Sequence, residues 1–318
     1  MTKTSKTEAS EHIAACLQLA ILMEINAAKP GNVHRTADFA RTNYTHFSAS
    51  AVAAAPSFKI AALQGMKVAE AKINASQIGI GRIIKGAVER ISLWQHGGNT
   101  LLGTIILLSP IAAAAGMITR HDDSFDLRKL RKNIKAVVDA TTPEDAVAFY
   151  EAIEIAKPGG LNKTPKFDAT KSSSKRELLE TQTTLLDVFK ISANYDSVSR
   201  EWANDYSIVF DMGLPLLKRE LENKNDLNDA VVHIFLKILA ENPDTLIARK
   251  VGREKAKMIS DRAKQILQSR GLGTKRGKIS LTQFDKSLRD PQNRLNPGTT
   301  ADLVTATLAL LILSGYRP

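Results

Sequence analysis

Three polar breaks, each set before an apolar run, hold most of the residues in this chain that could do chemistry. The first is Lys29-Pro30-Gly31-Asn32-Val33-His34-Arg35, the second His96-Gly97-Gly98-Asn99-Thr100, and the third Asn296-Pro297-Gly298-Thr299-Thr300-Ala301-Asp302. A helix N-terminus offers free N–H groups and the positive end of the helix dipole, which together suit phosphate. Glycine lets a backbone approach a ligand closely, and Asn or Thr can cap the helix or hydrogen-bond the ligand. Ordinary capping explains any one break; three in one chain point to a shared polar pocket. A fourth segment, Asp244-Thr245 followed by Arg249 and Lys250, sets a carboxylate near two cations, a combination suited to a metal–polyphosphate ligand or to a charged helix surface. His34 and Asp38, four residues apart with His46 beyond them, are of the types that do general acid–base work, or that simply decorate a polar loop.

The elements that must position these residues read as helices. Of 318 residues, 43% are hydrophobic and only 5% aromatic, with Ala, Leu and Ile prominent, a composition that favours helix over sheet. Apolar spacing predicts helices over 11–27, about 47–71, about 76–95, 126–139, 143–156, 178–191, 197–221, 226–241, 244–271 and from about 300 onward. Thr142-Pro143 supplies an N-cap and a proline at the favoured first position of one of them. The run 101–118 is almost wholly apolar, yet shorter than the roughly 20 residues of a membrane span and interrupted by Ser109-Pro110. It is read as a buried central helix. Residues 157–177 read as a flexible loop and the stretch from Gly271 as polar and basic. The expectation is a single all-α domain over 1–318, of roughly ten helices packed around the apolar central one.

Composition also excludes. The one cysteine, Cys16, sits on an apolar stretch, so a disulfide framework and a Cys-based zinc site are both ruled out within one chain. The first ten residues show no apolar signal region, and a reducing, cytoplasmic setting is expected. The net charge of +11 is spread along the chain. Its densest cluster, from Leu127, alternates with Leu and Ile as the solvated face of an amphipathic helix does, so nucleic acid is the minor reading. No HExxH, Walker, GxGxxG or GxSxG pattern occurs.

Taken together and in order, the segments resemble the triphosphoribosyl-dephospho-CoA synthase family. Glu24 followed by Lys29-Pro30-Gly31-Asn32-Val33 is similar to that family's acidic residue and Lys-Pro-Gly-x-Val. Gly97-Gly98-Asn99-Thr100 is similar to its Gly-x-Asn-Thr, Asp244-Thr245 with Lys250 to its Asp-Thr-Asn and basic residue, and Asn296 to Leu303 to its Ser-Pro-Gly-Gly-Ser-Ala-Asp-Leu. The resemblance implies an all-helical fold and a ribosyltransferase: the 2′-hydroxyl of dephospho-CoA attacks the ribose C1 of ATP, adenine leaves, and the triphosphate stays on the sugar. It implies nucleotide and dephospho-CoA-like partners and Mg²⁺ accompanying ATP, with no zinc, haem or flavin. On that basis Lys29, Gly31, Arg35 and Lys250 are candidates for phosphate, with N–H donors from Gly97, Gly98, Asn99 and Thr100 and from Gly298, Thr299 and Thr300. Glu24, Asp244 and Asp302 are the catalytic candidates, and Asp244 and Asp302 the Mg²⁺ ligands. Departures mark the chain out. The family's His-Lys after Asn-Thr is Leu101-Leu102, and His34, Arg41 and Asn43 stand where acids are expected. The tract 145–161 looks more like an archaeal and methylotroph branch, associated with tetrahydromethanopterin-dependent one-carbon metabolism. Ribosyl or phosphoribosyl transfer in the biosynthesis of that cofactor is one alternative; a non-catalytic helical binding protein is another.

Overall fold

The computed structural model describes residues 5–118, 124–161, 166–223, 226–268 and 274–318. The described residues form fifteen α-helices and no strand, with one isolated bridge between His34 and Ala37. The first six helices are α1 (Lys6–Asn26), α2 (Tyr44–Ala69), α3 (Ile80–Trp94), α4 (Leu102–Gly116), α5 (Leu127–Asp139) and α6 (Pro143–Ala156). Then follow α7 (Ser173–Glu180), α8 (Leu185–Ser192), α9 (Ser197–Ala203), α10 (Leu214–Glu222) and α11 (Leu227–Glu241). The last four are α12 (Thr245–Val251), α13 (Arg253–Gln268), α14 (Lys275–Leu288) and α15 (Gly298–Leu313).

At the centre lie α4 and α15, both apolar on all sides. Every residue of α4 except Gly103 is buried, as a helix without a polar face requires. α1 packs on α2, α4 and α15, while α2 also meets α3 and α4. Small residues set the spacing between α2 and α4: a methyl on Gly65 would lie 1.9 Å from the Ala113 carbonyl oxygen, and one on Gly116 would lie 2.0 Å from that of Ala62. Pro110 sits within α4 and has no N–H to offer the Ile106 carbonyl. The indole Nε1–H of Trp202 donates to that carbonyl at 3.2 Å, and the Tyr206 hydroxyl donates to the carbonyl of Leu107 at 2.9 Å. The proline thus frees a buried acceptor that ties α9 to the central helix.

The all-α expectation holds, while the count of about ten is too low because three predicted helices are broken. The stretch 178–191 is split between α7 and α8 around Gln182, at φ 53°. The stretch 197–221 turns at Asp205 and Tyr206, both at positive φ, and passes through a π-helical segment, Ile208–Gly213. There the buried carboxylate of Glu201 accepts N–H bonds from Ile208 and Val209 at 2.9 Å each. The stretch 244–271 breaks at Gly252, φ 98°, and its residues 269–271 lie outside the described ones. α14 was missed because its Lys- and Arg-rich start carries few apolar residues. Of the expected loop 157–177, residues 162–165 lie outside the described ones and 173–177 are helical. Its middle is pinned: the Tyr150 hydroxyl donates to the Phe167 carbonyl at 2.6 Å, and Asp168 Oδ1 accepts from the Thr170 N–H and hydroxyl.

Candidate active site

A cavity of about 530 Å³ opens where the starts of α4 and α15 meet the end of α1. Glu24 comes from α1, Gly103 and Thr104 from the first turn of α4, and Thr299 and Asp302 from the first turns of α15. Across the cavity α12 contributes Arg249 and Lys250, and Asp196 comes from the residue before α9. One stretch of the wall is apolar, with Phe149, Tyr150 and Ile153 of α6 and Phe189 of α8, and Arg41, Lys157 and Lys166 add further cations to the lining. Phe149, Phe189 and Trp202 stack edge to face with centroids 5.0 and 4.7 Å apart, which fixes that wall.

Asp302 is a strongly perturbed acid. Its Oδ1 accepts the Thr104 hydroxyl at 2.6 Å, and a methyl on Gly103 would sit 2.1 Å from its Oδ2. Only glycine lets the carboxyl lie against α4. Burial is the main cause that pushes its pKa up to about 8; the Thr104 bond opposes this, and the nearby charge of Glu24 adds to it. Asp302 is therefore largely protonated at neutral pH. Glu24 is 5% exposed, and burial pushes its pKa up while Lys29, 3.0 Å away, pulls it down. The two carboxyls share one cavity with unequal partners, an arrangement that separates a proton donor from a proton acceptor.

The predicted residues divide into those the fold brings together and those it withholds. Glu24, Asp302, Gly97, Asn99, Thr100, Lys250, Gly298 and Thr299 line the cavity. Asn99 Oδ1 accepts the Leu102 N–H at 3.2 Å and so caps α4, while Thr100 is hydrogen-bonded to Ser50 at 2.7 Å. The Lys250 ammonium donates to the Asn293 carbonyl at 3.1 Å, and burial lowers its pKa. Lys29 is not a phosphate ligand in this geometry. It is fully buried, does not line the cavity, donates to the carbonyls of Glu24 and Ala27, and is ion-paired with Glu24 Oε1 at 3.0 Å. It positions Glu24 instead.

Asp244 is likewise withheld. Its Oδ1 accepts the N–H groups of Leu246 and Ile247, and its Oδ2 accepts the N–H and hydroxyl of Thr300 at 2.8 Å each. This buried carboxylate ties α12 to α15 and leaves neither Asp244 nor Thr300 facing the cavity. The expected metal pair of Asp244 and Asp302 is therefore not brought together, since Asp244 is fully engaged away from the cavity that Asp302 lines. Among the described residues no group of three His, Cys, Asp or Glu could hold a metal. Gly31, at φ 74°, gives its N–H to Asp285 Oδ1 at 2.8 Å and serves the turn rather than the cavity. Arg35 is exposed and, like Gly98, lies outside the lining. His34 is held neutral, its pKa pushed to about 4 by burial and by Arg289 beside it.

Arg249, named as a cation, and Arg41, named as a departure, also line the cavity, as do Asn32, Phe39, Asp196 and Asn296, which were assigned no role from the sequence. Asn32 and Asn296 lie inside quoted breaks, so their position was legible and their orientation was not. Asp196 is held by Arg249 at 2.9 Å across 53 residues of chain, and no local pattern announces that pair. Leu101 and Leu102 are both buried and both line the cavity, so the apolar pair standing in for His-Lys shapes the site itself.

The described residues are helical, and they set a buried Glu24 and a half-buried Asp302 beside two helix N-termini with cations opposite, a geometry suited to binding and transforming small phosphorylated molecules. The family model for ATP:dephospho-CoA triphosphoribosyl transferase (CitG) matches residues 10–317, and the chain belongs to that family, a family of transferases. A curated protein of Azotobacter vinelandii, provisionally named as a 2-(5''-triphosphoribosyl)-3'-dephosphocoenzyme-A synthase, is 32% identical over 98 residues. That match spans 31% of this chain and about a third of the relative. A crystal structure from Archaeoglobus fulgidus, provisionally named as a triphosphoribosyl-dephospho-CoA synthase, is similar in fold, with a TM-score of 0.60 and 22% identity. The similarity covers 85% of this chain and 99% of that one. Among the described residues, no helix is long and apolar enough to cross a membrane.

Proposed function

We propose that this chain transfers the triphosphoribosyl group of ATP to a hydroxyl of an acceptor of the dephospho-CoA type. The observation that carries the reading is the Glu24–Asp302 pair in one cavity, with Lys29 held behind Glu24. The acceptor oxygen forms a bond to the ribose C1, and the C1–N9 bond to adenine breaks. Asp302, protonated at neutral pH, gives its proton to a ring nitrogen of the departing adenine. Glu24, a stronger base than an exposed carboxylate, takes the proton of the attacking hydroxyl. The triphosphate is served by Arg249, Lys250 and the first turns of α4 and α15. Mg²⁺ enters as the companion of the triphosphate and leaves with it, part of the substrate rather than a resident of the fold.

Incubation with ATP, Mg²⁺ and dephospho-CoA is expected to release free adenine in amounts equal to the product. No adenine above background, in the presence of every acceptor tried, would sink the reading. A second reading changes only the acceptor. Leu101, Leu102, Phe149, Tyr150 and Ile153 give the cavity an uncharged wall where the family has His-Lys, which favours an acceptor with a less anionic body, such as a precursor of a tetrahydromethanopterin-type cofactor. Adenine release with such an acceptor and none with dephospho-CoA would select it.

A further inference from the structure

Two carboxamides in the cavity lack partners. Asn32 Nδ2 and Asn296 Oδ1 are buried and have no hydrogen-bond partner, and both residues line the same cavity. Asn32 is only 6% exposed. A buried donor or acceptor left unpaired costs about 1–3 kcal/mol, so an orphan donor and an orphan acceptor in one cavity point to a ligand that supplies both. The two loops that carry them touch: a methyl on Gly31 would come within 3.0 Å of Pro297 Cδ. Their backbones are anchored as well. Asn32 N–H donates to the Lys29 carbonyl at 3.3 Å and its own carbonyl accepts Arg289 Nη2 at 2.7 Å, while the Asn296 carbonyl accepts the Gly298 N–H at 2.8 Å. An anchored backbone with an unpartnered amide is a built recognition element, not a loose loop. Phe39 lines the cavity too, and the Arg289 guanidinium lies 5.8 Å from its ring centroid.

A planar aromatic side chain together with one donor and one acceptor is the equipment that reads the edge of a heterocyclic base. The place suits a leaving group, because Asn296 stands just before α15, the helix whose first turns carry Asp302, the acid assigned to adenine, and both line the cavity. We propose that Asn32, Asn296 and Phe39 form the subsite for the departing purine and select a 6-aminopurine over a 6-oxopurine. At C6 an amino group donates to a carboxamide oxygen, whereas an oxo group faces that oxygen with lone pairs. The neighbouring ring nitrogen N1 accepts from a carboxamide N–H in the first case and competes as a donor in the second. The inference rests on the nucleotide reading above and extends it to the base.

Binding of adenine, hypoxanthine and inorganic triphosphate to the full chain, measured by calorimetry, tests it separately from catalysis. The wild-type chain is expected to prefer adenine to hypoxanthine by about tenfold or more, the worth of one well-placed hydrogen bond. In Asn32→Leu and in Asn296→Leu the preference is expected to fall to near unity, with triphosphate affinity held within about twofold. Retained triphosphate binding shows that a variant is folded, and if either fails to fold, Asn32→Asp, which has the same shape without the donor, or Asn296→Ala, which removes the acceptor, takes its place. Equal binding of the two bases by the wild type, or a preference that survives in both variants, overturns the base subsite and leaves the transfer reaction standing. An adenine preference lost in the variants while neither triphosphate binding nor adenine release occurs supports the base subsite and removes the transfer reaction.

Discussion

Replacing Asp302 with Asn keeps the shape of the side chain and its hydrogen bond from Thr104 while removing the only proton it can exchange. The magnitude follows from the shift. In the unfolded chain the carboxyl has the ordinary value of 3.8, and in the fold it is held at about 8. A raised carboxyl contributes its stability below the unfolded value and loses it as pH rises through the folded one. Each unit is worth about 1.4 kcal/mol, so between about pH 4 and pH 8 the wild type should lose up to about 6 kcal/mol that Asp302→Asn does not lose. The side chain is half-buried and lines the cavity, so about 2–3 kcal/mol is the figure to expect after screening. Urea unfolding of both proteins from about pH 4 to pH 9 measures it: Asn should overtake Asp as pH rises. The same proton is the one offered to adenine. Adenine release by the wild type should therefore fall above about pH 8, and the variant should be slower by about 10²–10⁴ at neutral pH. A stability difference independent of pH, together with an unchanged high-pH limb in the rate, would refute both the burial argument and the assignment of Asp302 as the acid.

Three further outcomes follow from the same geometry. Lys29→Met strands a buried carboxylate and should cost about 3–5 kcal/mol by chemical denaturation, most of it recovered in the double variant Lys29→Met/Glu24→Gln, since the pair is buried as a unit. Asp244→Ala removes four hydrogen bonds, two that cap α12 and two that join it to Thr300 of α15, and should cost about 3 kcal/mol or more, while the Mg²⁺ dependence of adenine release keeps its midpoint because this carboxylate does not face the cavity. Gly103→Ala drives a methyl into Asp302 Oδ2; adenine release should drop by about tenfold or more with little change in the melting temperature, and the high-pH limb should move, because the carboxyl is displaced from Thr104.

Local chemistry was enough to reveal much of this protein. The apolar, all-round character of 102–116 and 298–313 dictates buried helices, because no face of either can be left in water. The Gly, Asn and Thr breaks before them mark helix starts for the same local reason, and the order of those breaks carried the family resemblance. Breaks inside longer helical stretches were not legible. Gln182, Asp205 and Tyr206 adopt positive φ without being glycine, a conformation held by contacts such as those Glu201 makes to Ile208 and Val209. Residue types alone could not sort the motif residues into those that face the cavity and those that support it. Lys29 and Asp244 have the right chemistry for phosphate or metal, yet both are sealed behind the cavity wall as ion-pair and capping groups. Asn32, within the motif of Lys29, and Asp302, at the start of α15, turn inward. That division rests on contacts between residues far apart in the chain, such as Thr104 with Asp302 and Asp244 with Thr300. The sequence by itself set the helices, the breaks and the family, because those depend on neighbours within a few residues. Only the tertiary structure decided which carboxyl keeps its proton and which is anchored, because burial and pairing are properties of the packed chain.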